Sequence, residues 1–215
     1  MNVIMKVKQS CRLNYSKNIL KHKVMKISGS HNSWSYLPPR KWWMWPIRFM
    51  ARCQQVDIKR QYELGVRCFD LRIRFNDGRL VIAHGVVEYN YDRREWMNQM
   101  EFIDAHGDCY VRLIHEVRTK EQAESSPQKA FKDFCTFNAW CYPNIKFWCG
   151  RNLYNWSDKD YDFGDDPECE ERYASVTPPR LLAWWPWLFS RLYNHRIREQ
   201  GTEKEILLID FVDLT

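Results

Sequence analysis

Gly65-Val66-Arg67-Cys68-Phe69-Asp70-Leu71-Arg72-Ile73-Arg74 alternates apolar and polar side chains from Cys68 onward, the period-two pattern of a β-strand with two different faces. Phe69, Leu71 and Ile73 suit packing against outer helices, while Cys68, Asp70 and Arg72 share the opposite face. A carboxylate and a guanidinium on an inward face are costly unless they serve each other or a ligand. Both readings stand here: a structural ion pair, or part of a site. Asn76-Asp77-Gly78 then predicts a hairpin turn, and Arg79 to His84 is the returning strand.

Working outward, Lys23 to Ser28 reads as a strand that ends at Gly29. A polar and aromatic loop follows, containing Pro38-Pro39 and Trp42-Trp43-Met44-Trp45-Pro46. Gln54 to Leu64 has helical spacing and stops at Gly65, a suitable C-terminal cap. Downstream, Arg93 to Ala105 is a helix capped near Asp92, Cys109 to Val117 a strand, and Lys120 to Asn138 mostly helix with a break at Pro127. Ile145 to Cys149 is a short strand, Gly150 to Pro179 a long acidic and aromatic excursion, Pro179 to Gln200 a helix with an awkward Pro186, and Glu205 to Val212 the last strand. Strands alternating with helices predict an α/β protein with a mainly parallel sheet. A closed or partly closed barrel fits better than a doubly wound sheet, because the candidate reactive groups fall at the ends of several different strands.

Three short pieces carry those groups: Gly29-Ser30-His31-Asn32-Ser33, Phe69-Asp70-Leu71-Arg72 and Ala83-His84-Gly85. They bring two imidazoles, a carboxylate and a guanidinium toward one pocket, a set suited to breaking a phosphodiester by acid–base catalysis. One of His115 and Glu116 can face the interior, and matching the earlier strand favours Glu116, together with Arg112 and Ile114. Asp210, between apolar neighbours near a strand end, needs a partner, and a catalytic histidine is a good candidate.

Composition bounds the rest. The 215 residues, 45% hydrophobic and 28% charged, suit one domain with a real core. Residues 1–22 are read as a basic N-terminal leader and 23–215 as the barrel. Met1 to Val56 holds eleven Lys and Arg and no acid, while Asp158 to Glu171 holds eight acids against Lys159. The leader suits anionic headgroups or nucleic acid in charge alone, but no recognition motif accompanies it, so no nucleic-acid partner is expected. No apolar h-region follows Lys6 and Lys8, and the longest uncharged apolar run, Leu181 to Phe189, is interrupted by Pro186. No signal peptide is recognised, and a cytoplasmic or peripheral-membrane location is expected. Eight Cys are read as reduced thiols, with Cys141 and Cys149 too isolated from other ligands for a zinc ribbon. No Gly-rich phosphate loop is present, so nucleotide binding is not expected.

At these residues the chain resembles the phosphatidylinositol-specific phospholipase C family, in its X-type catalytic domain and its metal-independent bacterial form. Gly29-Ser30-His31-Asn32-Ser33 stands where the family has a Gly-Thr-His-Asp-Ser-like motif. Gly65-Val66-Arg67-Cys68-Phe69-Asp70-Leu71-Arg72 matches Gly-x-Arg-x-x-Asp-x-Arg, and His84-Gly85 and Asp210-Phe211-Val212 match later strands. The likeness is specific from Lys23 to Gly85 and at the C-terminus. It implies a distorted, shortened TIM-type (β/α) barrel and a phosphodiesterase that cleaves phosphatidylinositol through a cyclic inositol phosphate. His31 is then the general base, His84 the general acid, Arg72 the phosphate-stabilising cation, and Asp210 the group that orients His31. Asp70 and Asn32 complete the catalytic set, and Glu116 and Arg151 are candidate substrate contacts, Arg151 equally a plain surface arginine. Ordinary imidazole pKa values of about 6.5 suit both proton roles.

Two departures matter. Bacterial members have Asp where this chain has Asn32, so no negative charge there tunes His84, which leaves open a weaker activity or a different substrate. Animal members bind calcium and carry an acid where this chain has Arg72. A fixed cation at Arg72 implies no cofactor and no metal. The alternative is calcium at Asn32, Asp70 and Glu116.

Trp42, Trp43 and Trp45, beside Arg40, Lys41 and Arg48, suit a membrane interface, or a loop folded back over the barrel. Trp184-Trp185-Pro186-Trp187 is expected to be buried. The partners expected are thus a phospholipid or soluble phosphodiester substrate, with peripheral membrane contact. Two other functions remain: a related barrel phosphodiesterase acting on a different glycerophosphodiester, whose usual Glu-x-Asp strand is here Asp70-x-Arg72, and a catalytically silent barrel used for binding.

Overall fold

The computed structural model describes residues 27–76, 78–117, 119, 121, 128–153, 173–176, 182, 184–200 and 206–214. In chain order the elements are β1 (Ile27–Ser30), a 3-10 turn (Trp42–Ile47), α1 (Arg48–Ala51), α2 (Ile58–Glu63), β2 (Val66–Asn76), β3 (Arg79–His84) and β4 (Val87–Tyr89). There follow α3 (Arg93–His106), β5 (Tyr110–Val117), α4 (Gln128–Cys141), β6 (Lys146–Leu153), β7 (Tyr173–Ser175), α5 (Pro186–Gln200) and β8 (Ile206–Ile209). The leader at 1–22 and the acidic run Asp158 to Glu171 lie outside the described residues.

Local chemistry sets the ends of these elements. Asp57 and Asp92 cap α2 and α3 by accepting from the Arg60 and Glu95 amides, at 2.8 and 2.9 Å. Pro186, expected to disturb a helix, instead begins α5. At a first helical position its missing N–H has no intrahelical bond to lose. The three-residue strands β4 and β7 have no strand pattern of their own and are set by pairing with β3 and β8.

Six strands run parallel in the order β6-β5-β2-β1-β8-β7. The β3–β4 hairpin extends antiparallel from the far half of β2. The sheet curls into a half-barrel, consistent with a shortened TIM-type barrel. A closed ring is not found among the described residues, where β6 and β7 are the edges of the parallel run and β4 ends the hairpin side.

The alternation in β2 separates two cores as the sequence predicts. Phe69, Leu71 and Ile73 pack outward with Met100 and Ile103 of α3 and Phe131 of α4. Cys68 faces inward with Tyr110, Trp148, Ile206 and Leu208, which plug the bottom of the half-barrel. The Tyr110 and Trp148 rings stack at 4.7 Å. Above this plug the inward positions are Asp70, Arg72, Arg112 and Glu116.

Gly29 lets β1 sit between β2 and β8. A Cβ there meets Leu208 Cδ2 at 2.5 Å and the Cys68 backbone oxygen at 3.3 Å. Gly29→Ala is therefore expected to overpack the plug and destabilise the fold by about 1–3 kcal/mol in denaturant unfolding. Combined with Leu208→Ala, which frees that volume, its cost should fall well below the sum of the two single variants. Full additivity would show that the strand contact is not the constraint.

Candidate active site

His31 leaves β1 at the level of Phe69 and Asp70, because Ser30 is in register with Phe69. The β3 strand runs back along β2, with Ile82 opposite Ile73, and so carries His84 down to nearly the same height. The two imidazole rings meet edge to face, with centroids 5.3 Å apart.

His31 Nδ1 donates to Asp210 Oδ1 at 2.7 Å. A carboxylate can only accept here, so Nδ1 carries a hydrogen, and in the neutral ring the lone pair is on Nε2, 3.9 Å from Asp70 Oδ2. Gln54, which sequence reasoning missed, fixes this pair from behind. Its Nε2 donates to the His31 and Ile209 carbonyls at 3.1 and 2.9 Å, and its Oε1 accepts from the Val212 amide at 3.1 Å. Asn194 Nδ2 donates to the Asp210 carbonyl at 2.8 Å.

Asp70 is fully buried. Arg72 Nε donates to its Oδ2 at 3.2 Å, Arg112 Nη1 to its Oδ1 at 3.0 Å, and the Asn32 amide to Oδ2 at 3.2 Å. Burial alone would raise its pKa, but Arg72 and then Arg112 outweigh that and hold it well below the ordinary carboxylate range. Arg72 Nη1 also donates to Glu116 Oε2 at 2.8 Å. Burial disfavours the Arg72 charge, but Asp70 and Glu116 outweigh it and raise its pKa. Two of the five guanidinium N–H groups are used in these bonds, leaving three for a ligand. Glu116 accepts from the Gly85 amide as well, and Arg74 donates to the Glu116 and Gly85 carbonyls at 3.0 and 2.8 Å. Glu116 thus faces inward, while His115 stacks on Phe131 on the outer face.

His84 Nδ1 donates to the Ala51 carbonyl at 2.8 Å, so Nε2 is the position that must gain a proton before the ring can act as an acid. Its pKa is pushed down to about 4, chiefly by burial, with Arg72 and His31 adding to the shift against Glu116. This corrects the expectation of an ordinary value near 6.5. Cys53, a second residue the sequence did not reveal, places its Sγ 3.5 Å from His84 Nδ1.

The structure therefore brings together His31, Arg72, His84, Asp210, Asp70, Asn32 and Glu116. Asn32 is buried at a positive φ of 45°, with neither side-chain polar atom hydrogen-bonded. Arg151 lies in β6 opposite His115, but its side chain is outside the described residues. The residues do not fit calcium well: both Asp70 oxygens face guanidinium groups, and Glu116 is shared between Arg72 and Gly85.

Trp42, Trp43 and Trp45 are 84%, 46% and 53% exposed, around a buried Met44. Trp184, Trp185 and Trp187 are also exposed, contrary to the expectation that they are buried. Because Pro186 starts α5, these rings flank a helix start instead of a covered helix face. Trp185 and Trp187 meet Trp45 around a groove of about 420 Å³, with Arg48, Phe49, Leu188 and Phe211. Arg52 and Phe211 on its wall directly precede Cys53 and follow Asp210 in the chain, placing the groove beside the site. No helix among the described residues is long and apolar enough to cross a membrane.

No protein-family model and no curated protein matches the sequence. Solved structures do match, and they define a class by fold. A phosphatidylinositol-specific phospholipase C from Staphylococcus aureus carrying pentafluoro-Phe is 12% identical, with 89% of this chain and 87% of that chain covered and a TM-score of 0.54. A Staphylococcus aureus structure from work on modulating that enzyme's membrane binding is 12% identical, covers 88% and 86%, and has a TM-score of 0.54. The phosphatidylinositol-specific phospholipase C of Listeria monocytogenes is 13% identical, with 91% and 93% covered and a TM-score of 0.50. At these identities the likeness is one of fold.

The low His84 pKa carries a prediction. With Arg72 beside it and no anion bound, His84 is neutral at pH 6. A phosphate anion in the pocket adds negative charge and should move its titration midpoint upward from about 4. Imidazole NMR, with the resonance assigned by loss in His84→Gln, should show that shift on adding inorganic phosphate. A midpoint unmoved by saturating phosphate would remove His84 from the anion site.

Proposed function

We propose that the chain is a phosphodiesterase that cleaves phosphatidylinositol-type lipids at a membrane surface, in two steps through a cyclic inositol phosphate. The observation that carries this reading is the pair of imidazoles 5.3 Å apart, one with Nε2 bare and backed by Asp210, beside an arginine with N–H groups to spare. The fold shared with phosphatidylinositol-specific phospholipases C supports it.

In the first step His31 Nε2 removes the proton from the inositol hydroxyl next to the phosphate. That oxygen attacks phosphorus, the bond to the diacylglycerol oxygen breaks, and His84 Nε2–H protonates the leaving oxygen. Arg72 offers fixed donors to the equatorial phosphate oxygens where charge builds up. In the second step the roles reverse: His84 takes a proton from water, which opens the ring, and His31 protonates the departing hydroxyl. Asp70, tied up by two guanidiniums, positions Arg72 rather than moving a proton. Trp42, Trp43 and Trp45, joined by Trp185 and Trp187, offer rings at headgroup depth.

Each of His31→Ala and His84→Ala should lower activity by at least ~100-fold, as for a lost acid or base. A substrate with a good leaving group needs no proton from His84, so it should restore much of the activity of His84→Ala and little of that of His31→Ala. Equal behaviour of both variants on that substrate contradicts the assigned roles. Wild-type protein inactive on phosphatidylinositol but active on a glycerophosphodiester moves the substrate, and inactivity on every phosphodiester points to a silent barrel.

Activity should persist in EDTA, and Arg72→Lys should be poor, because an ammonium cannot match the planar fork. Calcium-dependent recovery of a chelated sample, lost in Asn32→Ala or Glu116→Ala, would overturn the role given to Arg72.

A further inference from the structure

Beyond proton transfer, the same pocket holds a cluster of metal-binding atoms that the proposed reaction does not use as such. One ring nitrogen of His31, one of His84 and the Cys53 sulfur all lie within 4.8 Å of one another. Among the described residues no other group of His, Cys, Asp and Glu converges in this way. We propose that His31, His84 and Cys53 form an inhibitory site for Zn²⁺, with the fourth coordination position open to the pocket.

Four observations support the assignment. First, the ligand types suit zinc, which takes thiolate at about 2.3 Å and imidazole at about 2.0–2.1 Å in a tetrahedron. Those bond lengths imply a sulfur-to-nitrogen edge of roughly 3.5 Å, and Cys53 Sγ stands 3.5 Å from His84 Nδ1, which becomes the ligand atom when its hydrogen shifts to Nε2 and its bond to the Ala51 carbonyl is given up. Second, the His31 ring is oriented from behind. Asp210 accepts from His31 Nδ1 at 2.7 Å, which leaves Nε2 as the ligand atom and reproduces the carboxylate–histidine–metal arrangement. Third, the surrounding charge tolerates a cation. Asp210 meets His31 and no guanidinium, so its charge faces the ion's side of the pocket, while Asp70 and Glu116 are taken up by Arg72 and Arg112. Fourth, Cys53 is in no disulfide, so its sulfur is available to the ion, although burial favours the protonated thiol and the zinc has to displace that proton.

Binding is balanced by one proton: the Cys53 thiol loses it to solvent as the zinc–sulfur bond forms, and no electrons move. The consequence for catalysis follows from the lone pairs. A zinc ion on His31 Nε2 takes the lone pair of the base, and bound to His84 Nδ1 as well it keeps that ring from gaining the second proton it needs as the acid. The inhibition rests on the phosphodiesterase reading; the binding does not.

Cobalt is the probe, because it takes zinc sites and its spectrum reports the ligands. Purified, reduced full-length protein stripped with EDTA and desalted is titrated with Co²⁺. We expect one ion per chain, visible bands of a tetrahedral site, and an intense near-ultraviolet thiolate-to-cobalt absorption, all displaced by one equivalent of Zn²⁺. Cys53→Ser should lose the near-ultraviolet absorption. Asp210→Asn should weaken binding by roughly 10–100-fold, as for a lost outer-shell partner. His31→Gln, at the partly open rim, should weaken binding while keeping the thiol, which covers the case of a Cys53 variant that does not fold. Cobalt bound without sulfur absorption, absorption that persists in Cys53→Ser, or no stoichiometric binding overturns the proposal. Zinc bound as described to a protein inactive on every phosphodiester would defeat the catalytic reading and leave the metal site standing.

Discussion

The buried Asp70 carboxylate is the constraint on which the pocket depends. It stays ionised with no exposure because two guanidiniums and a backbone amide face it. Removing one partner from such a cluster typically costs about 3–5 kcal/mol, since the remaining charge is left buried and unpaired. The Asp70 contacts extend in two directions. Through the Asn32 amide they hold the turn that carries His31. Through Arg72 they reach Glu116, which binds the Gly85 amide and so places His84. One inward carboxylate in the middle of β2 therefore sets the separation of the two imidazoles.

Much of this was legible in the sequence, for local reasons. The period-two alternation of Cys68 to Arg74 separates an outer core from an inner face without any knowledge of partners. Asn76-Asp77-Gly78 signals the hairpin that returns His84 to the site. The same alternation distinguishes Glu116 from His115, and the structure has Glu116 on Arg72 and His115 on Phe131. The leader at 1–22 and the side chain of Arg151 lie outside the described residues.

What the sequence did not reveal depends on contacts between distant segments. Arg112 is one more basic residue on a strand until the register of β2 with β5 places it opposite Asp70. Gln54 and Cys53 lie in a connection with no pattern of its own, yet their atoms meet His31 and His84. The His84 pKa, pushed down to about 4, is a property of burial that no neighbouring residue in the chain encodes. Likewise, Trp185 and Trp187 read as core until Pro186 is seen to begin α5, which leaves them on the rim with Trp45. Of the closed or partly closed barrel that the sequence predicts, the described residues form a curled half-barrel sheet, and its closure is a long-range property.

The central claim is that two imidazoles and an arginine open a phosphodiester by internal attack, and the order of products tests it most directly. Metal-stripped protein is mixed with phosphatidylinositol in mixed micelles and followed by phosphorus NMR. The account predicts that the resonance of a five-membered cyclic phosphate grows in first and later gives way to the acyclic inositol phosphate. An acyclic phosphate formed from the outset with no cyclic species, or turnover seen solely after a divalent ion is restored, would contradict it.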